Sequence, residues 1–414
     1  MLEQFFDTPR QIQALRSGAN GALLEGLAQE LSRLGYCKFI ARSRIRAAEH
    51  FIYWADKEGI SPGSFNEQAV ARFNKHLKHC QCAAGYGRKN RRLLHYARSF
   101  VGYVCGAGVN VGRAREAAPP PVLLAQFHDW MREQRGTSDP TLNNYSIPLR
   151  DLLKRIGEDP GRLDAQGLRE FVLEQNQNCG SAVVKRCTAA VRMFMRFLIA
   201  EGKCAAGMDA AIPVVASWRL APLPRYLQPE EVERVIASCD PNSPVGKRDR
   251  AILLLLARLA LRAGDIAQLQ LEDIDWKHAS ICVSGKGRRK TQLPLTQELG
   301  QAIVIYLQEG RPQSDSDAVF VRCCAPFCAF ANHVAISTIV KRAMRRAGVA
   351  YPSRGAAHVL RHSAATSMLR QGASLQDIAA ILRHRSIETT RIYAKVDVAA
   401  LRQIAQPWPE VQPC

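Results

Sequence analysis

Two proline-interrupted stretches constrain this chain more than any other feature. Ala117-Ala118-Pro119-Pro120-Pro121 joins small residues to a proline run, which cannot continue a helix and reads as a stiff, extended linker. Between Ala205 and Pro229, the residues Pro213, Pro222, Pro224 and Pro229 interrupt any helix a second time. The 414 residues therefore divide into segments 1–116, 122–205 and 225–405, with a tail at 406–414. At about 150 residues per domain, that length suits two or three domains with cores of their own.

The first two segments follow one helical plan. Val70-Ala71-Arg72-Phe73 corresponds to Leu168-Arg169-Glu170-Phe171 at an offset of 98, and Tyr96 to Gly108 corresponds to Ala190 to Gly202 at an offset of 94. Each copy ends in an aromatic-bearing helix, with Phe100 and Tyr103 in one and Phe194 and Phe197 in the other. Both are basic. Lys38, Arg42, Arg44 and Arg46, and then Arg88, Lys89, Arg91 and Arg92, are either solvated faces or phosphate contacts, and the charge of the whole chain favours the second.

The third segment is mixed. Asp249 to Leu261 is helical in pattern, with a turn expected at Gly264. Ser280-Ile281-Cys282-Val283 and Gln292-Leu293-Pro294-Leu295 read as strands around the glycine-rich turn Gly285-Lys286-Gly287-Arg288. Ile336, Ile339, Val340, Ala343, Met344 and Ala347 keep helical spacing, which puts Lys341, Arg342, Arg345 and Arg346 on the opposite face, available to DNA. The fold predicted is mainly α with a small β-sheet, the strands belonging to an α+β third domain.

Charge points to a partner. Lys and Arg number 57 against 37 Asp and Glu, a net charge of +20, so a polyanion is expected: nucleic acid or an anionic membrane surface. Between Thr338 and Lys395 eleven basic residues face only Asp377 and Glu388. The longest strongly apolar run, Ala251 to Leu261, is eleven residues and contains Arg258, too short to span a bilayer. An odd count of thirteen cysteines without a secretion signal fits reduced thiols and a cytoplasmic protein.

One constellation carries chemistry. Arg262 ends the apolar helix, Lys286 sits at the strand turn, and His358-Val359-Leu360-Arg361-His362 opens a helix that Gly372 closes. Ser374-Leu375-Gln376-Asp377 supplies a capping box, Arg383-His384-Arg385 follows, and Tyr393 lies nine residues beyond His384. Each piece alone is weak: Arg262 could pair with Asp265 or Asp273, and a lone Tyr is usually core. Together, Arg, Lys, His-x-x-Arg, His and Tyr gather cations and donors around one phosphodiester, with a phenol to attack it.

In these residues the chain resembles the tyrosine recombinases, the lambda-integrase family, which includes Xer-type enzymes and mobile-element integrases. The resemblance covers about 122–405 and is strongest in 250–395. It implies a catalytic set of Arg262, Lys286, His358, Arg361, His384 and Tyr393, the last as nucleophile, and makes 122–205 a helical core-binding domain. It implies double-stranded DNA as substrate, a tetramer on paired sites and no cofactor, and leaves open whether the chain acts alone or beside related recombinases. The ending through Tyr393-Ala394-Lys395-Val396-Asp397 and Pro407-Trp408-Pro409 looks most like transposon-borne members. The chain departs from the family in having Asp265 where a glutamate is usual, and Ala260-Leu261-Arg262 in place of Gly-Leu-Arg.

Physical chemistry agrees with that implication. Two guanidiniums can grip both nonbridging oxygens of a phosphodiester, each such donor contributing ~2.7–4 kcal/mol in the transition state. A phenol of pKa about 10 needs a base or cations to ionise, and His358 is the expected base or proton relay. His384 can donate to the phosphate and Lys286 can protonate the departing 5′-hydroxyl. A phosphotyrosine conserves the bond energy, and the chain has no Gly-x-x-x-x-Gly-Lys-Ser/Thr motif for a nucleotide. The rival readings are a type IB topoisomerase-like relaxing enzyme, a DNA-binding regulator with decayed catalysis and, weakest, a membrane-surface binder.

Two sulfur-rich signals are set aside. Cys323, Cys324, Cys328 and His333 lack regular ligand spacing, and free buried cysteines account for them better. Cys80-x-Cys82 with His76 and His79 is treated likewise, so no metal is expected.

Overall fold

The computed structural model describes the chain apart from residues 19, 81, 83–90, 107, 110–119, 158, 215–222, 285–289, 352–354, 385, 397–400 and 403–414, and the side chains of residues 91 and 178. It divides into two compact units, one formed by Met1–Gly112 with Leu220–Cys414 and the other by Arg113–Arg219.

The N-terminal part of the first unit is built from α1 (Pro9–Ser17), α2 (Gly21–Arg33), α3 (Lys38–Lys57), α4 (Glu67–Lys78) and α5 (Arg91–Val104). Asn66 starts α4 by accepting the Ala69 N–H at 3.0 Å, satisfying an otherwise orphaned donor. The core is aromatic: Phe51 meets Phe65 and Phe73 edge-on, at 5.0 and 5.2 Å between centroids. The basic run 38–46 is mostly spent inside this module. Lys38 and Arg42 pair with Asp7. Arg44 is a core residue, bonded to Ser99 Oγ and the Val109 carbonyl and set 4.5 Å over the Tyr36 ring. Of the four, Lys38 and Arg46 are exposed and Arg44 is buried, so the phosphate-contact reading fails for Arg44.

The second unit holds α6 (Val122–Arg135), α7 (Asp139–Ile156), α8 (Ala165–Asn178) and α9 (Ser181–Ala200). Phe127 of α6 packs edge-on against Phe194 of α9 at 5.5 Å. Val70 and Phe73 in α4 and Leu168 and Phe171 in α8 are all buried, so the residues matched between the two segments occupy equivalent inward positions.

The rest of the first unit runs α10 (Pro229–Ala237), α11 (Pro244–Ala257), α12 (Ala263–Gln268), β1 (Ile274–Asp275), β2 (Ser280–Ser284), β3 (Lys290–Pro294), α13 (Gln297–Glu309), α14 (His333–Arg346), α15 (Ala356–Arg370) and α16 (Leu375–Ile381). The strands form one antiparallel sheet in the order β1-β2-β3, with Ile281 opposite Leu293 and both buried. Gly264 is not the turn. It lies within α12, and the chain reverses instead at Ala260, whose φ of +50° is the left-handed conformation that glycine adopts without strain. Ala251 to Leu256 of α11 are completely buried and form the centre of this core. Mainly helical architecture with a small sheet is therefore what the chain adopts.

The two parts of the first unit touch at a loop. Gly35, with φ +72°, faces Phe327 so closely that a Cβ there would lie 2.6 Å from Phe327 Cε2. Cys323 is half-buried in this loop, whereas Cys324 and Cys328 are exposed, so burial does not account for all three thiols.

Candidate active site

The site forms where α15, α16 and the two 3-10 turns Ile387–Thr389 and Arg391–Val396 meet the reversal at Ala260. Gly372, at φ +92°, ends α15, and the Ser374–Asp377 capping box starts α16: Ser374 Oγ accepts the Asp377 N–H at 3.1 Å, and Asp377 accepts the Ser374 N–H at 3.3 Å. This tight connection returns Leu382 and Arg383 to the side of Arg361.

Both catalytic-set arginines converge there. Arg361 is 6% exposed and donates to the carbonyls of Ala260 and Leu382. Arg262 Nη2 donates to the carbonyls of Leu382 at 3.2 Å and Arg383 at 2.9 Å. Burial and the neighbouring Arg262 pull the Arg361 pKa down to about 10, which still leaves it charged at neutral pH. Asp265 caps α12 through the Arg262 N–H at 3.2 Å and pairs with the buried Arg383. The ion-pair partner of Asp265 is thus Arg383, and the Arg262 guanidinium is left to the site.

Tyr393 is 1% exposed, among Ala260, Ala364, Ala365, Ile378 and Leu382. Burial pushes its phenol up to about 12, with Arg361 opposing. Its hydroxyl shares a hydrogen bond of 2.8 Å with His362 Nδ1. Burial, then His358 and Arg361, lowers the His362 pKa to about 4, so its imidazole is neutral and has a lone pair to offer. His384 is also held neutral, near 4, by burial and by Arg361 and Arg262, while its Nδ1 bonds Thr390 Oγ1 at 2.8 Å. His358 is exposed on the first turn of α15; desolvation by the surrounding protein, then Arg361, His333 and Arg262, lowers its pKa.

Arg262, His358, Arg361, His384 and Tyr393 therefore gather at one place, and Lys286 lies outside the described residues. The residue that contacts the phenol is His362, which sequence reasoning passed over in favour of His358. The signal was there: His362 follows His358 by four positions, one helical turn along the same face.

The expected DNA-contact residues are placed less uniformly. Lys341, Arg342, Arg345 and Arg346 are exposed on α14, but Arg346 Nε donates to the Ser238 carbonyl at 3.1 Å. Lys341 lies 5.2 Å over the Tyr351 ring. Arg88, Lys89 and the Arg91 side chain lie outside the described residues. Arg92 is exposed and lines a cavity of about 590 Å³ with Arg44, Tyr36 and the 322–327 loop. No described helix is long and apolar enough to cross a membrane.

Comparison with known proteins finds relatives both in sequence and in fold. Residues 225–399 match the phage integrase family and 124–202 the phage integrase N-terminal SAM-like domain. The integrase/recombinase-like protein y4rA of Sinorhizobium fredii (strain NBRC 101917 / NGR234) is 35% identical over 387 residues, covering 92% of this chain and 93% of that protein. Tyrosine recombinase XerC of Lactobacillus delbrueckii subsp. bulgaricus (strain ATCC BAA-365 / Lb-18) is 29% identical over 67% of this chain and 96% of its own length. In fold, the crystal structure of the XerH site-specific recombinase bound to palindromic difH substrate aligns with a TM-score of 0.56 and 19% identity over 82% of this chain and 96% of that one. The fold and these matches define a DNA-cutting and rejoining enzyme of the tyrosine recombinase class, and the chain belongs to the phage integrase family.

Proposed function

We propose that Tyr393 is the nucleophile of a site-specific recombinase, attacking a phosphodiester of double-stranded DNA held between Arg262 and Arg361. The bond from Tyr393 Oη to phosphorus forms as the bond from phosphorus to the 5′-oxygen breaks. His362 takes the phenol proton, and Lys286 gives one to the departing 5′-hydroxyl. His358 and His384 donate to the phosphate oxygens. The resulting 3′-phosphotyrosine keeps the energy of the broken bond, so a 5′-hydroxyl from the partner strand reverses the step without ATP.

The observation that carries this reading is the 2.8 Å contact between Tyr393 and a neutral His362, beside two converging guanidiniums. A nicked suicide substrate tests it. The wild-type protein is expected to form a covalent adduct on a denaturing gel, and Tyr393→Phe none. An undiminished adduct with Tyr393→Phe would sink the assignment.

Exchange between duplexes, rather than relaxation of one, is the expected outcome. The enzyme acts as a tetramer on paired sites, Lys341, Arg342 and Arg345 contact backbone phosphates, and 122–205 is the core-binding domain. Carriage by a mobile element is supported by the fold shared with the Tn1549 transposon integrase, at a TM-score of 0.51 and 16% identity over 68% of this chain and 99% of that one. Recombinant junctions between two marked duplexes distinguish this from a topoisomerase-like activity, which would relax supercoils and leave the duplexes unexchanged.

A further inference from the structure

We propose that His50, His76, Cys80 and Cys82 hold a structural zinc ion in the N-terminal helical module. Their ligand atoms all lie within 4.8 Å of one another, and they are the one group among the described residues that could hold a metal with three or more such ligands. His50 Nε2 lies 3.5 Å from Cys80 Sγ, and His76 Nε2 lies 3.5 Å from Cys82 Sγ. A tetrahedral zinc with Zn–S of about 2.3 Å and Zn–N of about 2.0–2.1 Å has sulfur-to-nitrogen edges of about 3.5 Å. Both observed separations have that length.

The chemistry of the set selects the ion. Two thiolates and two imidazoles suit zinc and are poor ligands for magnesium or calcium, which prefer oxygen. Four protein ligands fill a tetrahedron and leave no open position for water or substrate, so the role is structural. On binding, each thiol releases a proton and each sulfur becomes a zinc thiolate.

The packing is suited to a closed site. His50, on α3, is 1% exposed, and His76 is in the last turn of α4. Phe73 lies edge-on to His50 at 5.2 Å and stacks with His76 at 5.8 Å, so an aromatic wall backs both imidazoles. α4 ends at Lys78 with His79 as its C-cap, and Cys80 and Cys82 lie against the His50 and His76 rings. A metal there staples α3 to the end of α4. It also revises the expectation of no metal: the partners weighed for the Cys-x-Cys pair were His76 and His79, of which His79 is exposed, whereas His50 lies 26 residues before His76 on another helix. None of the four belongs to the Tyr393 site.

The test uses the full chain, purified without a polyhistidine tag or chelator. Elemental analysis is expected to find about one zinc per chain, released by a mercurial thiol reagent. The C80S/C82S variant and H50A are expected to lose it, while H79A and C324S keep it. Because H50A could fail to fold, cobalt(II) is also exchanged into the wild-type protein, where intense visible bands and a thiolate charge-transfer band are expected. Protein that carries no zinc and gives no thiolate–cobalt band after anaerobic reconstitution would overturn the proposal. So would zinc retained in full by folded C80S/C82S.

Discussion

The hydroxyl of Tyr393 and Nδ1 of His362 are joined by a 2.8 Å hydrogen bond inside a pocket that leaves the phenol 1% exposed. Burial holds the tyrosine protonated and the histidine neutral, which is the starting arrangement a base and its acid need. The pair is poised, and the phosphate must be brought to it.

His362→Ala is accordingly expected to slow adduct formation by about 10²–10⁴-fold, the usual range for a lost general base, while DNA affinity stays near wild type. Single-turnover cleavage on a nicked substrate, set beside fluorescence anisotropy, reads both. If His358→Ala had the larger effect on cleavage, the proton would be leaving by the other histidine.

Arg262→Ala and Arg361→Ala are expected to differ in stability though both lose cleavage. Each removes a donor worth ~2.7–4 kcal/mol in the transition state, or two decades or more in rate. Arg361 also satisfies the carbonyls of Ala260 and Leu382 from a buried position, so its removal should lower the thermal midpoint more than the loss of half-buried Arg262. Melting curves alongside adduct rates check this, and equal stability in the two variants would count against it.

Stability should fall on the acid side. His362 and His384 have native pKa values near 4, below the usual value of about 6.5, so the unfolded chain binds protons that the folded chain refuses. Stability is full above about pH 6.5 and drains as pH falls toward 4. The thermal midpoint measured across that window should show a shallower slope for His384→Asn; an unchanged slope would contradict the assignment.

Gly35→Ala should be costly for two separable reasons. The left-handed backbone costs roughly 1–2 kcal/mol for a residue with a Cβ, and the new methyl meets the Phe327 ring. In a Phe327→Ala background only the first penalty remains. A double-mutant cycle by denaturant unfolding should return a coupling of about 0.5–3 kcal/mol; additivity would mean the two residues do not touch in solution.

Helical periodicity and the alternation around residues 280–295 were enough to reveal a helical protein with a small sheet. The spacing of Arg262, His-x-x-Arg, His384 and Tyr393 was likewise legible, because those residues follow one another along the chain in recognisable intervals. What the linear pattern hid was contact at a distance. Arg44 looked like its basic neighbours, and only the fold turns it inward toward Ser99 and Tyr36. His362 was adjacent to the motif, yet which of two histidines one turn apart meets a phenol depends on where the last 3-10 turn docks. His50 was invisible as a partner of Cys80 because the two sit on different elements.

Residues 1–112 fold into one unit with 220–414, while 113–219 form another. A body assembled from the two ends of a chain has a hereditary consequence. A hybrid that takes residues 1–112 from a relative inherits half of a fitted surface, with a foreign residue 35 set against the resident Phe327. One that takes 113–219 exchanges a whole unit and leaves that surface as it was. At that surface the beginning and the end of such a protein must diverge together.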